Sequence, residues 1–190
     1  MDVGLVLRIL EFQARGDGSV IDAALRADVL PRLAALPGLR DLYAGRRVWR
    51  DLEDRVIVSV WERGATLDER EPVVSPAEIE AAIPYGLAES RVERLAVRAA
   101  IRLGLGESPR VLRIFRGETR PEELEAYIAE AFSWALAGRA TRPGIAALYL
   151  GVEPPSRFTN VSVWLDWDAI EGATGGDIGR PLVAPRPERL

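Results

Sequence analysis

The chain has 190 residues, 48% of them hydrophobic, with 25 basic and 29 acidic side chains and a net charge of −4. This length suffices for one domain or two small ones, and the acidic balance argues against a nucleic-acid partner bound through its phosphate backbone. The sequence contains no Cys, His or Lys, which excludes disulfides, thiolate nucleophiles, the commonest metal ligand and Schiff-base lysines.

No membrane partner is predicted either. No apolar run approaches the roughly 18 residues that a spanning helix needs. The opening MDVGLVLRILEF carries Arg8 and Glu11 inside its apolar stretch, so it is typical of a strand and not of a signal peptide. We therefore expect a cytoplasmic protein that binds no metal.

The first predicted elements are a strand and a helix. Val6 to Phe12 is apolar with β-branched residues and predicts a strand. Val20 to Leu36 has apolar residues at helical spacing, and Ser19 before it resembles an N-cap. Pro31 lacks a backbone donor and predicts a kink or an interruption inside this helix.

Two strands, a short helix and a final strand are predicted next. The strands are Arg40 to Trp49 and the segment VIVSVW, Val56 to Trp61. In the second strand, three valines alternate with Ile57, Ser59 and Trp61, so each set should face one side of the sheet. Ser75 followed by proline predicts the start of a helix over Ala77 to Ile83. The apolar segment Val92 to Leu103 fits a final strand or a helix, and we favour the strand.

The second half of the chain predicts the same order of elements. Arg110 to Arg116 predicts a strand, and the capping-box pattern at Thr119 opens a helix that Gly138 should close. Two further strands are predicted at Ile145 to Gly151 and Arg157 to Asp166. The tail beyond Asp166 is rich in Gly and Pro and short on helix, so the last strand should be reduced to Pro181 to Ala184.

An internal repeat explains this recurrence. Four short sequence motifs recur in the same order at offsets of 103 to 106 residues: LRIL and LRIF, Pro-Gly twice, LYAG and LYLG, and VSVW twice. Four ordered matches at nearly one offset indicate duplication of a unit of about 100 residues. We place the units at residues 1–104 and 105–190, with the C-terminal part of the second shortened.

Each unit has the order β-α-β-β-α-β, which is the ferredoxin-like order. The predicted fold class is therefore α+β, with two tandem units. One face of each sheet carries the helices, and the other face is apolar and must be covered. We expect the two copies to cover each other as an intrachain dimeric α+β barrel, in a monomer or in a homodimer.

The run VLPRLAALPGLRDLYAGRRVWRDLEDRVIVSVWE resembles the antibiotic biosynthesis monooxygenase domain family of the dimeric α+β barrel superfamily. That family has a first helix ending in Pro-Gly, a strand with a Tyr, and a hairpin into a strand ending Val-x-x-Trp-Glu. Val6 to Glu62 matches this pattern, and Leu112 to Trp164 matches it again, with Leu165 and Asp166 in place of the acid directly after the Trp. The resemblance implies cofactor-free oxidation of aromatic compounds in some members and haem degradation through a His ligand in others. This chain has no His.

Three pairs of equivalent residues and one asparagine are the candidate substrate-binding residues. Trp61 and Trp164 either wall a pocket for an aromatic substrate or fill the core. Tyr43 and Tyr149 either donate to a developing oxyanion or are half-buried strand residues. Arg8 and Arg113 alternate with apolar neighbours. Each of them either binds a substrate enolate or carboxylate, or forms a structural ion pair. Asn160 either orients an oxygen intermediate or is a simple strand-end residue.

Three functions are compatible with these alternative roles of the candidate residues. The first is an oxygenase that needs no cofactor, in which a hydrophobic, enolisable aromatic substrate supplies the electrons. The second is a non-catalytic protein of the same fold that binds a hydrophobic small molecule or acts in a stress response. The third is a purely structural pseudo-dimer with filled pockets. A cavity of a few hundred Å³ lined by Trp61 or Trp164 would favour the first two. Ser59 and Ser162 have no His partner, so a serine hydrolase is not supported.

Overall fold

The computed structural model describes residues 4–46, 54–63, 75–83, 86–103, 111–141 and 144–179. The chain divides into a first compact unit, Leu5–Arg94, and a second unit formed mainly by the residues from Leu95 onward. The first unit contains β1 (Leu5–Ala14), α1 (Gly18–Ala24), a π-helical turn (Leu25–Val29), α2 (Leu30–Ala34), β2 (Leu39–Arg46), β3 (Asp54–Glu62), α3 (Pro76–Ala82) and the first half of β4 (Leu87–Arg102). The second contains the rest of β4, then β5 (Val111–Glu118), a 3₁₀ turn (Pro121–Glu123), α4 (Leu124–Thr141), β6 (Ile145–Glu153), β7 (Arg157–Trp164) and α5 (Trp167–Thr174).

The strand order confirms the predicted fold class. In the first unit the order is β2-β3-β1-β4, and β3 is antiparallel to both of its neighbours. Together with the β-α-β-β-α-β sequence of elements, this is the ferredoxin-like arrangement. The chain is an α+β protein of two tandem units.

The second unit keeps this plan for β5, β6 and β7, with the order β4-β6-β7-β5. The second half of β4 pairs with β6, from Ala96 opposite Val152 to Arg102 opposite Ala147. The predicted last strand, Pro181 to Ala184, lies outside the described residues. The packing of the two units into a barrel and their boundary at residue 104 remain predictions.

The core of the first unit forms on the helix-facing side of its sheet. Leu10, Ile57 and Trp61 pack there with residues from the helices, among them Ile21 and Leu33. On the opposite face Leu7, Ile9, Val58 and Val60 are also fully buried. The alternation predicted for β3 is therefore present, and the apolar second face is covered as the sequence requires.

The predicted kinked helix is split into three segments, with a π-helical turn just before Pro31. The N–H of Leu30 bonds the carbonyl of Leu25, five residues back, so the helix widens where the proline cannot follow the regular pattern. The N-cap prediction was wrong: Asp17 caps the helix and accepts a hydrogen bond of 2.7 Å from the N–H of Ser19.

Three local predictions for the second unit were also wrong. The Thr119 hydroxyl donates to the carbonyl of Arg120 at 3.0 Å and forms no N-cap, and α4 continues past Gly138 to Thr141. The tail after Asp166 begins with a helix, α5, because the Asp166 carboxylate caps it by accepting from the N–H of Ala169 at 2.9 Å. Within the described ranges, no helix combines the length and the apolarity needed to cross a membrane.

Candidate functional site

Each unit carries a row of polar side chains on the helix-facing side of its sheet. Alternate residues of a strand share a face, and the pairing of Arg8 with Ser59 and of Arg113 with Ser162 places each arginine beside its serine. The first-unit row consists of Arg8, Ser59 and Trp61. The second-unit row consists of Arg113, Asn160, Ser162 and Trp164.

The first-unit row is sealed inside the core. Ser59 and Trp61 have no exposed surface and Arg8 is 2% exposed. Burial and, to a smaller extent, the nearby charge of Arg94 together lower the pKa of the Arg8 guanidinium to about 10. The Ser59 hydroxyl and the Trp61 indole nitrogen have no hydrogen-bond partner among the described residues.

The second-unit row repeats the serine and the tryptophan of the first row and adds the amide of Asn160. The Asn160 side-chain oxygen, the Ser162 hydroxyl and the Trp164 indole nitrogen are buried without a hydrogen-bond partner within the described part of the chain. These residues follow one another on one face of β7, about 7 Å apart. A buried polar group left unsatisfied costs about 1–3 kcal/mol, so this row is suited to polar atoms of a ligand.

Arg113 is the most exposed member of this row. Its Nε donates to the carbonyl of Ile178 at 3.1 Å, and its guanidinium carbon lies 5.4 Å from the centre of the Phe115 ring. Burial lowers the pKa of Arg113, while Tyr127 and Asp177 act in the opposite direction. The guanidinium is therefore positioned to neutralise an anion at the edge of an otherwise apolar region.

Aromatic side chains line the region next to the row. The rings of Tyr127 and Phe158 are 4.2 Å apart, and those of Phe115 and Phe158 are 6.2 Å apart. Tyr127 brings a phenol from α4 into this cluster. Tyr127 is not among the candidate residues predicted from the sequence; a phenol among the apolar residues of a helix was the signal that could have marked it.

The two rows differ at one equivalent position. Asn160 occupies the place of Ile57, since each residue lies four positions before the tryptophan that ends its strand. At this position the second unit has an amide and the first unit does not. Asn160 lies opposite Phe115 in the strand pairing. This difference makes the second-unit row the stronger candidate site.

The two predicted tyrosines do not join the rows. Tyr43 pairs with Val58 and Tyr149 with Val161, which places both tyrosines on the face opposite to the helices. Tyr149 is fully buried, whereas Tyr43 is half-buried. Of the other tryptophans, Trp134 packs partly buried against the core and Trp49 lies outside the described residues.

A cleft of about 340 Å³ lies in the first unit, but neither Trp61 nor Trp164 lines it.

In the parts of the chain that the structure describes, no cluster of three or more His, Cys, Asp or Glu side chains could hold a metal ion. The chemistry of the rows is therefore that of amide, hydroxyl, indole and guanidinium groups.

Comparison with solved structures identifies the fold. A candidate monooxygenase from Fusobacterium nucleatum superposes with a TM-score of 0.68 at 16% identity, over 94% of this chain and 84% of that one. A second candidate monooxygenase, from Lactobacillus acidophilus, gives 0.64 at 15% identity over 88% and 80%. This chain has the monooxygenase-like fold of these proteins.

An anthrone oxidase-like protein also has this fold, with a TM-score of 0.56 at 14% identity over 89% of this chain and 76% of that one. No protein-family model and no curated protein matches the sequence. Identities of 14–16% establish the fold alone. The predicted resemblance to the antibiotic biosynthesis monooxygenase type is therefore confirmed at the level of the fold.

Proposed function

We propose that the second unit is a cofactor-independent oxygenase of hydrophobic, enolisable aromatic compounds. The observation that carries this proposal is the second-unit row, in which three buried polar atoms without partners stand beside Arg113 and an aromatic cluster. A planar phenolic substrate offers apolar faces to Phe115 and Phe158 and oxygen atoms to the row. The likeness in fold to an anthrone oxidase-like protein favours the same substrate class.

The reaction needs few ionisable groups because the substrate supplies the electrons. A methylene that is conjugated with the ketone through the aromatic rings loses a proton to solvent and forms an enolate, which Arg113 stabilises with its charge. The enolate passes one electron to dioxygen, and the two radicals join through a new carbon–oxygen bond. The peroxide then loses water, so the methylene becomes a carbonyl: one CH₂ group and one O₂ give one C=O group and one H₂O.

Each polar residue of the row has a role in this sequence. The indole N–H of Trp164 donates to the enolate oxygen, which lies within an apolar surround where such a bond is strong. The Asn160 side-chain oxygen accepts from the hydroperoxide O–H and orients it for loss of water. Ser162, directly opposite Arg113, donates to the same oxygen atoms.

Oxygen uptake with 1,8-dihydroxyanthrone tests the proposal, with the spontaneous rate subtracted and a metal chelator present. The decisive variant is Asn160→Ile, because it reproduces the side chain that the first unit already accommodates at the equivalent Ile57. We expect a loss of about 100-fold in the catalysed rate, the order expected when a reacting group loses the contact that positions it.

Ile57→Val is the matched control. It makes a small change at the equivalent position of the first unit and should leave the rate unchanged. No oxygen uptake above the spontaneous rate with any hydroxylated polycyclic compound, together with tight binding of that compound, would exclude the oxygenase.

The alternative is a non-catalytic binding protein of the same fold. Two observations instead favour the purely structural pseudo-dimer with filled pockets: the described cleft is lined by neither tryptophan, and both indoles are completely buried. The same experiment separates the two functions, because a binding protein would retain the compound without consuming oxygen.

A further inference from the structure

The first unit has a cleft between the π-helical turn and the edge of its sheet. Its volume is about 340 Å³, near the lower end of the range for small-molecule sites. The helical side contributes Asp22, Leu25, Arg26 and Leu30, and the strands contribute Ala44, Gly45, Arg46, Arg55 and Val56. This set shares no residue with either polar row.

The strand register shows which side chains point toward the helices. Ala44 lies opposite Ile57 and Arg46 opposite Arg55, and Ile57 belongs to the helix-facing core. Ala44 and Arg46 therefore project from the edge strand β2 toward the π-helical turn. The π turn, which the structure places beside Pro31, is a feature that proteins often use at functional sites.

The charge of the cleft is positive. Arg55 is 2% exposed and is fixed by its Nε, which donates to the Asp22 carboxylate at 2.9 Å, and by a bond of 3.0 Å to the carbonyl of Gly18. Asp22 thus balances one of the three guanidinium groups. Arg26 and Arg46 are exposed at the rim and leave a net charge of +2 in the lining.

The apolar part of the lining limits the ligand class. Leu25, Leu30 and Ala44 offer aliphatic surface, so a bare inorganic anion would leave most of the cleft unfilled. From the volume, the charge and this surface, we infer that the cleft binds a small organic carboxylate with an apolar body, its carboxylate between Arg26 and Arg46. This site is separate from the proposed oxygenase site and does not depend on it.

Titration of the full chain with 4-hydroxyphenylacetate, followed by backbone amide NMR shifts, tests the inference. The neutral 4-hydroxyphenylacetamide is the control for charge. We expect a dissociation constant on the order of 1 mM or below for the acid, with shifts at β2 and the π turn, and at least tenfold weaker binding of the amide.

Two variants locate the site. Arg26→Gln with Arg46→Gln removes two exposed charges and should weaken binding of the acid by about tenfold, whereas Arg157→Gln, an exposed arginine of the second unit, should not change it. Ala44→Leu fills the cleft from the exposed edge strand and should abolish the shifts. The inference is wrong if the acid causes no shifts near the cleft, if it binds no better than the amide, or if the double variant binds it equally well.

Discussion

Replacing Arg8 by Met is expected to stabilise the protein. Arg8 lies on β1, between β3 and β4, and only 2% of it is exposed. Methionine preserves much of the unbranched stem and removes the charge, so the packing changes little while the cost of burying a cation disappears.

The magnitude follows from the pKa of Arg8. Burial lowers that pKa to about 10, and the difference from the ordinary arginine value corresponds to about 3 kcal/mol. Relaxation of the surrounding structure offsets part of this cost. We therefore expect Arg8→Met to raise the free energy of unfolding by about 1–2 kcal/mol at pH 7.

The pH dependence provides an independent check. Because the pKa of Arg8 is lower in the folded state than in the unfolded state, the cost is fully present below pH 10 and declines as the pH rises above it. The advantage of the variant should thus shrink between pH 7 and pH values above 10. Urea unfolding, followed by tryptophan fluorescence, measures the gain in the free energy of unfolding at pH 7 and its decline at high pH.

Arg113→Met is the matched comparison. Arg113 is partly exposed and donates to the carbonyl of Ile178, so its replacement should bring no such gain. A fall of 1 kcal/mol or more for Arg8→Met, or a gain that does not change with pH, would refute the reasoning.

Two further substitutions test packing by urea unfolding. Trp61→Phe should lower the free energy of unfolding by less than about 2 kcal/mol, because the indole N–H that this change removes has no partner among the described residues. Trp61→Ala should lower it by about 3–5 kcal/mol. Equal losses for the two variants would contradict this. Gly144→Ala should cost more than about 2 kcal/mol, since its φ is +102° and the new Cβ would lie 2.5 Å from the Cβ of Ala169. In the helix α5, Gly172→Ala meets nothing within 4 Å and should be neutral or stabilising by up to about 1 kcal/mol.

The sequence predicted the strands and their faces well, because alternation and repetition are local signals. The alternation in VSVW placed Trp61 with Ile57 and Ser59 on the face that packs against the helices. The repeat at offsets of 103 to 106 residues predicted the two tandem units. The equivalence of Arg8 and Arg113 followed from the same repeat.

Other features depend on geometry that a single sequence does not contain. The side of the sheet that Tyr43 and Tyr149 face is set by the register of β2 on β3 and of β6 on β7, with an irregularity near the start of each pairing. The helix α5 depends on a cap by Asp166 in a segment whose glycines predict a loop. The first-unit cleft combines residues from five elements, so no local pattern marks it.

The most direct test of the central claim is the indole N–H resonance of Trp164 during titration with 1,8-dihydroxyanthraquinone, the expected oxidation product of the dihydroxyanthrone. Trp→Phe variants assign the signals of the five tryptophans. We predict that the Trp164 resonance shifts, that the Trp61 resonance does not, and that Asn160→Ile weakens the binding. A shift of Trp61 alone, or no shift of either indole at saturating ligand, would contradict a site in the second unit.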